Sequence, residues 1–188
     1  MNDTRCWYKL NIDVTNSIKK TGFSFPNATK DRSLIWRVLA NDIFDTMWLS
    51  YMKSIGLPVS AAMIFYRQAL ATDEYAHIDT GATFGLNWVI EGKDSEMLWY
   101  KTPDDILTRP RKTTMADSKY VNWPVNELEE IDRNKIESTL TLVRVDVPHS
   151  IVVSDQNRLS VSIRIVNGPD LKWNEIVSHM EKTGLLIV

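Results

Sequence analysis

The sequence predicts a mainly β protein in which helices flank about eight short strands. One apolar stripe at helical spacing covers residues 31–55, and short segments rich in aromatic and β-branched residues follow Pro58. A polar stretch with three prolines, residues 102–134, interrupts that series of segments. This order of elements favours an all-β sandwich or barrel with helical buttresses.

The two predicted helices precede and follow the main series of strands, residues 59–166. Over residues 31–55 apolar side chains recur at three- and four-residue steps, Asp31 or Ser33 is placed to cap the start, and Gly56-Leu57-Pro58 ends the pattern. A second helix is predicted over residues 170–182, where apolar side chains again share one side. Both stripes predict helices that pack on a sheet.

The predicted strands are short and either alternate in polarity or are continuously apolar. They cover residues 7–14, 59–68, 74–79, 83–91, 95–101, 138–147, 149–153 and 158–166. We expect residues 102–134 to form a long loop with at most a helical turn, because they are polar and contain three prolines. Long loops in compact domains often act as lids or substrate loops. The whole pattern predicts one domain, residues 1–188, with a β core over about residues 59–166.

The bulk composition excludes several classes of partner. The net charge is −2 and the isoelectric point about 5.9, which gives no electrostatic reason to expect nucleic acid or an anionic membrane surface. The single cysteine, Cys6, has no internal disulfide partner, which suits a reducing cytoplasm. The first 14 residues lack the continuous apolar core of a secretory leader, and no run approaches the ~18 apolar residues of a membrane span.

Two histidines and an aspartate form the most informative pattern. His77-Ile78-Asp79 lies on a predicted strand, where positions i and i+2 share a face with Cα atoms about 7 Å apart. Both side chains can therefore reach one ion, and His149 is the candidate for a third ligand. Two imidazoles and one carboxylate on one face of an octahedron leave positions open, which is the arrangement of non-haem Fe(II) oxygenases.

A polar strand face follows the third ligand. Arg158, Ser160, Ser162 and Arg164 alternate with apolar residues. An inward arginine is costly unless it meets an anion, and a guanidinium with a neighbouring hydroxyl suits a carboxylate. The alternative is that this polar face is exposed to solvent, as on many antiparallel strands.

The set HID…H…RLS resembles the 2-oxoglutarate- and Fe(II)-dependent oxygenases, which are built on a double-stranded β-helix. The stretch AHIDTGATFGLNWVIEGKDSEMLWYK is similar to small bacterial and phage members and to the aspartyl/asparaginyl hydroxylase-like branch. The tail VPHSIVVSDQNRLSVSIRI resembles the family's distal histidine followed by its oxoglutarate arginine. The resemblance covers about residues 59–166 and implies a jelly-roll, cupin-like fold with flanking helices.

The resemblance also implies a role for each matching residue. His77, Asp79 and His149 would hold Fe(II), and Arg158 with Ser160 would bind the distal carboxylate of the cosubstrate 2-oxoglutarate. Asn87 and Tyr100 would add hydrogen bonds to the cosubstrate or have packing roles. An aspartate, and not a small residue, at position 79 favours hydroxylation over halogenation. The implied reaction consumes dioxygen and releases succinate and CO2 while it hydroxylates an amino acid, peptide or protein side chain.

Two other functions remain open at this point. A cupin-like metalloenzyme that uses no keto acid would keep the three metal ligands, and Arg158 would then be structural. A non-catalytic β-barrel binding module would need neither a bound metal ion nor a keto acid.

Four further residues are expected to have ordinary structural roles. Arg67 is expected in a salt bridge, although it could bind a substrate carboxylate. We expect His179 to be a surface or capping histidine, and Trp88 and Trp99 to lie in the core.

Overall fold

The computed structural model describes residues 5–19, 34–79, 82–92, 94–101, 111–112, 119–166 and 168–187. The strands in these ranges are β1 (Trp7–Lys9), β2 (Leu34–Leu39), β3 (Val59–Arg67), β4 (Tyr75–Asp79), β5 (Phe84–Glu91), β6 (Glu96–Lys101), β7 (Arg111–Lys112), β8 (Lys119–Pro124), β9 (Glu129–Lys135), β10 (Thr141–Arg144), β11 (His149–Val152) and β12 (Arg158–Ile165). The helices are α1 (Ala40–Ile43), α2 (Thr46–Ser54) and α3 (Trp173–Lys182), with 3₁₀ turns at Val125–Glu127 and Gly168–Asp170.

The strands form two six-stranded antiparallel sheets. The first sheet has the order β1-β10-β5-β12-β3-β2, and the second has the order β7-β8-β4-β11-β6-β9. From β3 onward the chain passes back and forth between them, so that β3, β5, β10 and β12 lie in the first sheet and β4, β6, β9 and β11 in the second. This winding is a double-stranded β-helix, and the predicted mainly β jelly-roll fold with flanking helices is confirmed.

The outer face of the first sheet packs against the helices. Leu86, Val161 and Ile163 from the sheet share one buried cluster with Met52 of α2 and Met180 of α3. Each such side chain, fully removed from water, contributes roughly 1.5–3 kcal/mol to stability. This cluster leaves the other face of the same strands to meet the second sheet.

The space between the two sheets is apolar on one side and polar on the other. Val89 and Val143 of the first sheet pack against Met97 and Trp99 of the second. β12 instead turns its polar alternate residues inward, since its apolar ones lie in the outer cluster. The fold therefore encloses a polar region beside β12.

The predicted single helix over residues 31–55 is wrong in its first part. Residues 34–39 form β2, which pairs with β3, and α1 and α2 follow. Trp36 and Val38 pack on the core whereas Arg37 and Leu39 are exposed, so the period here is two and not 3.6. The three- and four-residue spacing of the apolar residues fits either structure over so short a run. The proposed caps at positions 31 and 33 lie outside the described residues.

The actual cap of α2 is Asp45, whose carboxylate accepts hydrogen bonds from the backbone N–H groups of Met47 and Trp48. As predicted, Gly56 follows the end of this helix, and its φ of +80° is a left-handed conformation that glycine adopts at little cost.

The predicted loop over residues 102–134 is also wrong in part. β8 pairs with β4 in the middle of the second sheet, and β9 pairs with β6 at its edge. The sequence of β9, EEIDRNK, is largely exposed, and charged edge strands of this kind resemble loops in composition. Residues 102–110 and 113–118 lie outside the described ranges. None of the helices in the described ranges has the length and apolar character that a bilayer crossing requires.

Candidate metal centre

The structure brings the three predicted metal ligands together. His77 and Asp79 lie on β4 and His149 lies on the adjacent antiparallel strand β11, with His149 directly opposite His77. Their nearest ligand atoms all lie within 4.8 Å of one another. The i and i+2 positions of one strand and the facing position of its neighbour thus supply two imidazoles and a carboxylate to one point, a donor set suited to a transition-metal ion.

His149 is oriented for binding through Nε2. Its Nδ1 lies 3.0 Å from the backbone carbonyl of Val147, which accepts a hydrogen bond and so leaves the lone pair on Nε2. The residue is only 4% exposed. Burial, reinforced by the neighbouring His77, lowers the pKa of His149 to about 4, against the partial opposition of Asp79. The imidazole is therefore neutral at pH 7, as a metal ligand must be.

Asp79 divides its two carboxylate oxygens between different partners. Oδ2 accepts a hydrogen bond from Nη2 of Arg164 at 3.0 Å, and Oδ1 lies 3.7 Å from Nε2 of His77. Burial alone would raise the pKa of Asp79, but Arg164 and the two histidines outweigh it, so this pKa lies below its ordinary value. Asp79 is thus ionised at neutral pH with one oxygen directed toward the imidazoles.

Arg164 is a site residue to which the sequence pattern gave no role. The signal was present, because Arg164 shares the polar alternation of Arg158, Ser160 and Ser162. Its contact with Asp79 shows that this face of β12 points toward the second sheet.

The connection between β10 and β11, residues 145–148, aligns the ligands through its backbone. The carbonyl of Val145 accepts a hydrogen bond from the N–H of Asp79 at 3.0 Å, and another carbonyl of the same connection holds the ring of His149. Just before it, the carbonyl of Arg144 accepts a hydrogen bond from the indole N–H of Trp99 at 2.8 Å. One short segment therefore fixes ligands that come from two strands.

Arg158 is a buried cation that forms no salt bridge with any described residue. It begins β12 on the inner face and is 4% exposed. Its Nε is buried and has no hydrogen-bond partner. Burial, together with the nearby Arg67, lowers its pKa to about 10, against the opposing influence of Asp73. The solvent-facing interpretation of this strand face is wrong, because Ser160 and Ser162 are likewise buried.

Asn87 and Tyr100 have different surroundings. Asn87 lies on β5 directly opposite Ser162, and its Oδ1 is buried without a partner in the described structure. Tyr100 belongs to a cluster on the outer face of the second sheet and hydrogen-bonds through its hydroxyl to Ser150 at 2.9 Å. Asn87 therefore lies beside the inner polar face. The expected hydrogen bond from Tyr100 to the cosubstrate is wrong, because alternation along β6 turns the Tyr100 ring away from Trp99 and the metal ligands.

The remaining residues have the structural roles that the sequence predicts. Arg67 forms a 2.6 Å salt bridge with Asp73. His179 caps α2, since its Nε2 lies 3.0 Å from the carbonyl of Ile55. Trp99 is fully buried and Trp88 packs against the larger core cluster.

Comparison with known proteins adds a distant structural similarity. No protein-family model and no curated protein matches the chain. Among solved structures, the chain is similar to oxalate decarboxylase from Bacillus subtilis, with 12% sequence identity and a TM-score of 0.36. That match covers 85% of this chain and only 36% of the decarboxylase chain.

Proposed function

We propose that this protein is a 2-oxoglutarate- and Fe(II)-dependent dioxygenase that hydroxylates an amino acid, peptide or protein side chain. The observation that carries the proposal is the buried Arg158, which forms no salt bridge with any described residue and shares a strand face with the residue that contacts Asp79. A buried guanidinium without a paired anion is costly, and a carboxylate bound at this position would offset that cost.

His77, Asp79 and His149 would hold the metal ion. When bound, Fe(II) with 2-oxoglutarate supplies the activation of dioxygen, and the reaction releases succinate and CO2. Two of these three ligands already have the protonation state that metal binding requires at neutral pH. His149 is neutral there because its pKa is about 4, and the lowered pKa of Asp79 keeps that carboxylate ionised. Metal binding at pH 7 therefore displaces no proton from either group.

Arg158 with Ser160 would bind the distal carboxylate of the cosubstrate. A chain of contacts links this end of β12 to β11: Arg158 lies opposite Arg67, and Asp73 joins Arg67 to the N–H of Ile151. Ile151 is the next same-face position after His149, about 7 Å along the strand. Arg158 stays protonated at pH 7, since its pKa remains about 10.

The experiment is an anaerobic titration of the Fe(II)-loaded protein with 2-oxoglutarate, in which the weak visible absorption band of the metal–keto acid complex is followed. We expect the band in the wild type and in Arg133→Met, which removes an exposed cation paired with glutamates on the protein surface. We expect Arg158→Met to weaken binding by about 1.5–3 kcal/mol, that is by roughly 10–150-fold, the worth of a charge-assisted hydrogen bond.

Two results would direct attention to the other functions. Bound metal without the band in the wild type would refute the use of a keto acid and favour a cupin-like metalloenzyme. Metal content that His77→Ala leaves unchanged would favour a binding module in which the three residues hold no ion. His179→Gln is the matched control for the second measurement, because His179 lies away from the cluster and contacts a backbone carbonyl.

A further inference from the structure

Three charged side chains surround the start of β12. Arg158 and Arg67 face each other across adjacent antiparallel strands, where facing Cα atoms are about 5 Å apart. The carboxylate of Asp73 is the third member, and both guanidiniums lie within its electrostatic influence. The group carries a net charge of +1, from two cations and one anion.

Each carboxylate oxygen of Asp73 accepts a hydrogen bond from a partner other than Arg158. Its Oδ1 accepts a 2.6 Å hydrogen bond from Nη1 of Arg67, and its Oδ2 accepts one from the backbone N–H of Ile151 at 3.0 Å. Both oxygens are thereby oriented, and the aspartate is mostly buried with 13% of its side chain exposed. Arg158 is more deeply buried than Arg67 yet is the cation that lacks a partner.

This distribution is the opposite of what burial alone favours. An unpaired cation loses more hydration energy the deeper it is buried, so a single carboxylate would stabilise Arg158 more than Arg67, whose side chain is 22% exposed. The structure instead directs the carboxylate to Arg67. The two hydrogen bonds to Asp73 hold that arrangement in place.

We propose that Arg67 is a positioning residue that keeps the Asp73 carboxylate engaged, so that Arg158 remains free to bind the distal carboxylate of 2-oxoglutarate. The inference rests on the proposed function. Without Arg67, Asp73 would turn to Arg158 and compete with the cosubstrate as an internal anion. With Arg67 present, the net charge of +1 matches one incoming carboxylate, and the occupied site becomes neutral.

The test is calorimetric binding of 2-oxoglutarate to the Mn(II)-loaded protein without dioxygen, which measures affinity separately from turnover. We expect Arg67→Met to weaken binding at least about tenfold, equal to about 1.4 kcal/mol. We expect the double variant Arg67→Met with Asp73→Asn to return to within about threefold of the wild type, since the competing anion is gone. Arg67→Lys, which keeps a cation beside Asp73, should stay close to the wild type.

The pattern of affinities distinguishes positioning from other roles. Unchanged affinity in Arg67→Met would overturn the inference, and so would a double variant as weak as the single one, because Arg67 would then contact the cosubstrate directly. In turnover assays the KM for 2-oxoglutarate should rise with little change in kcat. Should Arg67→Met not fold, Asp73→Asn alone carries the test: binding at least as tight as the wild type supports the inference, and weaker binding overturns it.

Failure of the proposed function gives a different result. A wild-type protein that binds Mn(II) but no 2-oxoglutarate would overturn the dioxygenase proposal together with this inference. Binding by the wild type combined with either contrary result above would overturn the role of Arg67 alone.

Discussion

We expect His149 to make the metal-free protein lose stability on mild acidification. Its imidazole is buried against His77, and burial is the main reason that its pKa falls from the ordinary 6.5 to about 4. In the unfolded chain the same imidazole titrates near its ordinary value. Between these two values the unfolded state binds a proton that the native state does not bind.

The sign and size of the effect follow from linkage. Because the unfolded state holds more protons in this range, the free energy of unfolding falls as the pH falls from 6.5 toward 4. With a native pKa of about 4, His149 alone should lower the free energy of unfolding by about 2 kcal/mol between pH 7 and pH 5. That is a substantial part of the 5–15 kcal/mol typical of a folded domain.

The assay is urea unfolding of the metal-free protein at pH 7 and pH 5, with the wild type beside His149→Gln. Groups remote from His149 titrate equally in both proteins, so the difference between their pH dependences reports the imidazole together with its coupling to His77 and Asp79. We expect the variant to lose about 2 kcal/mol less than the wild type over this interval. Equal losses in both proteins would refute the argument, because they would show that His149 titrates alike in the native and unfolded states.

Three further expectations concern the frame around the site. Tyr100→Phe should cost about 1 kcal/mol in urea unfolding, because it removes the buried hydrogen bond to Ser150, and should leave the affinity for 2-oxoglutarate unchanged; weaker cosubstrate binding would contradict the outward placement of this ring. Gly92→Ala should lower the melting temperature by several degrees, because its φ is +83° and an added Cβ would lie 2.3 Å from the carbonyl oxygen of Asn157; an unchanged melting temperature would count against this turn geometry. Asp45→Ala should cost about 1 kcal/mol in thermal or urea unfolding through loss of the α2 cap, whereas Asp45→Ser should retain most of that stability.

Much of the site could be predicted from the sequence because strand alternation is a strict rule. His77 and Asp79 are two residues apart on a strand, so their convergence depends only on β4 being extended. Arg158 and Ser160 follow the same rule on β12. Apolar residues between them mark the opposite face, which packs on the core cluster.

Other parts depended on packing that a single sequence does not display. The sequence of β2 predicts a helix because its apolar residues also fall at helical spacing. Only the pairing with β3 decides between a helix and a strand. The charged strand β9 reads as a loop because its stability comes from its pairing with β6. Arg164 could be placed on the right face, but its contact with Asp79 requires knowledge of which sheets face each other.

The short connection between β10 and β11 determines which sequence changes the metal cluster can tolerate. Asp79 and His149 both take their alignment from backbone carbonyls within residues 145–148. The rest of the long interval between His77 and His149 can therefore gain or lose residues, provided that the strands remain. Removal of one residue from the four-residue connection would keep all three ligands in the sequence and separate them in space. In a comparison of related chains, the length of this connection is thus a better indicator of an intact site than the spacing between the two histidines.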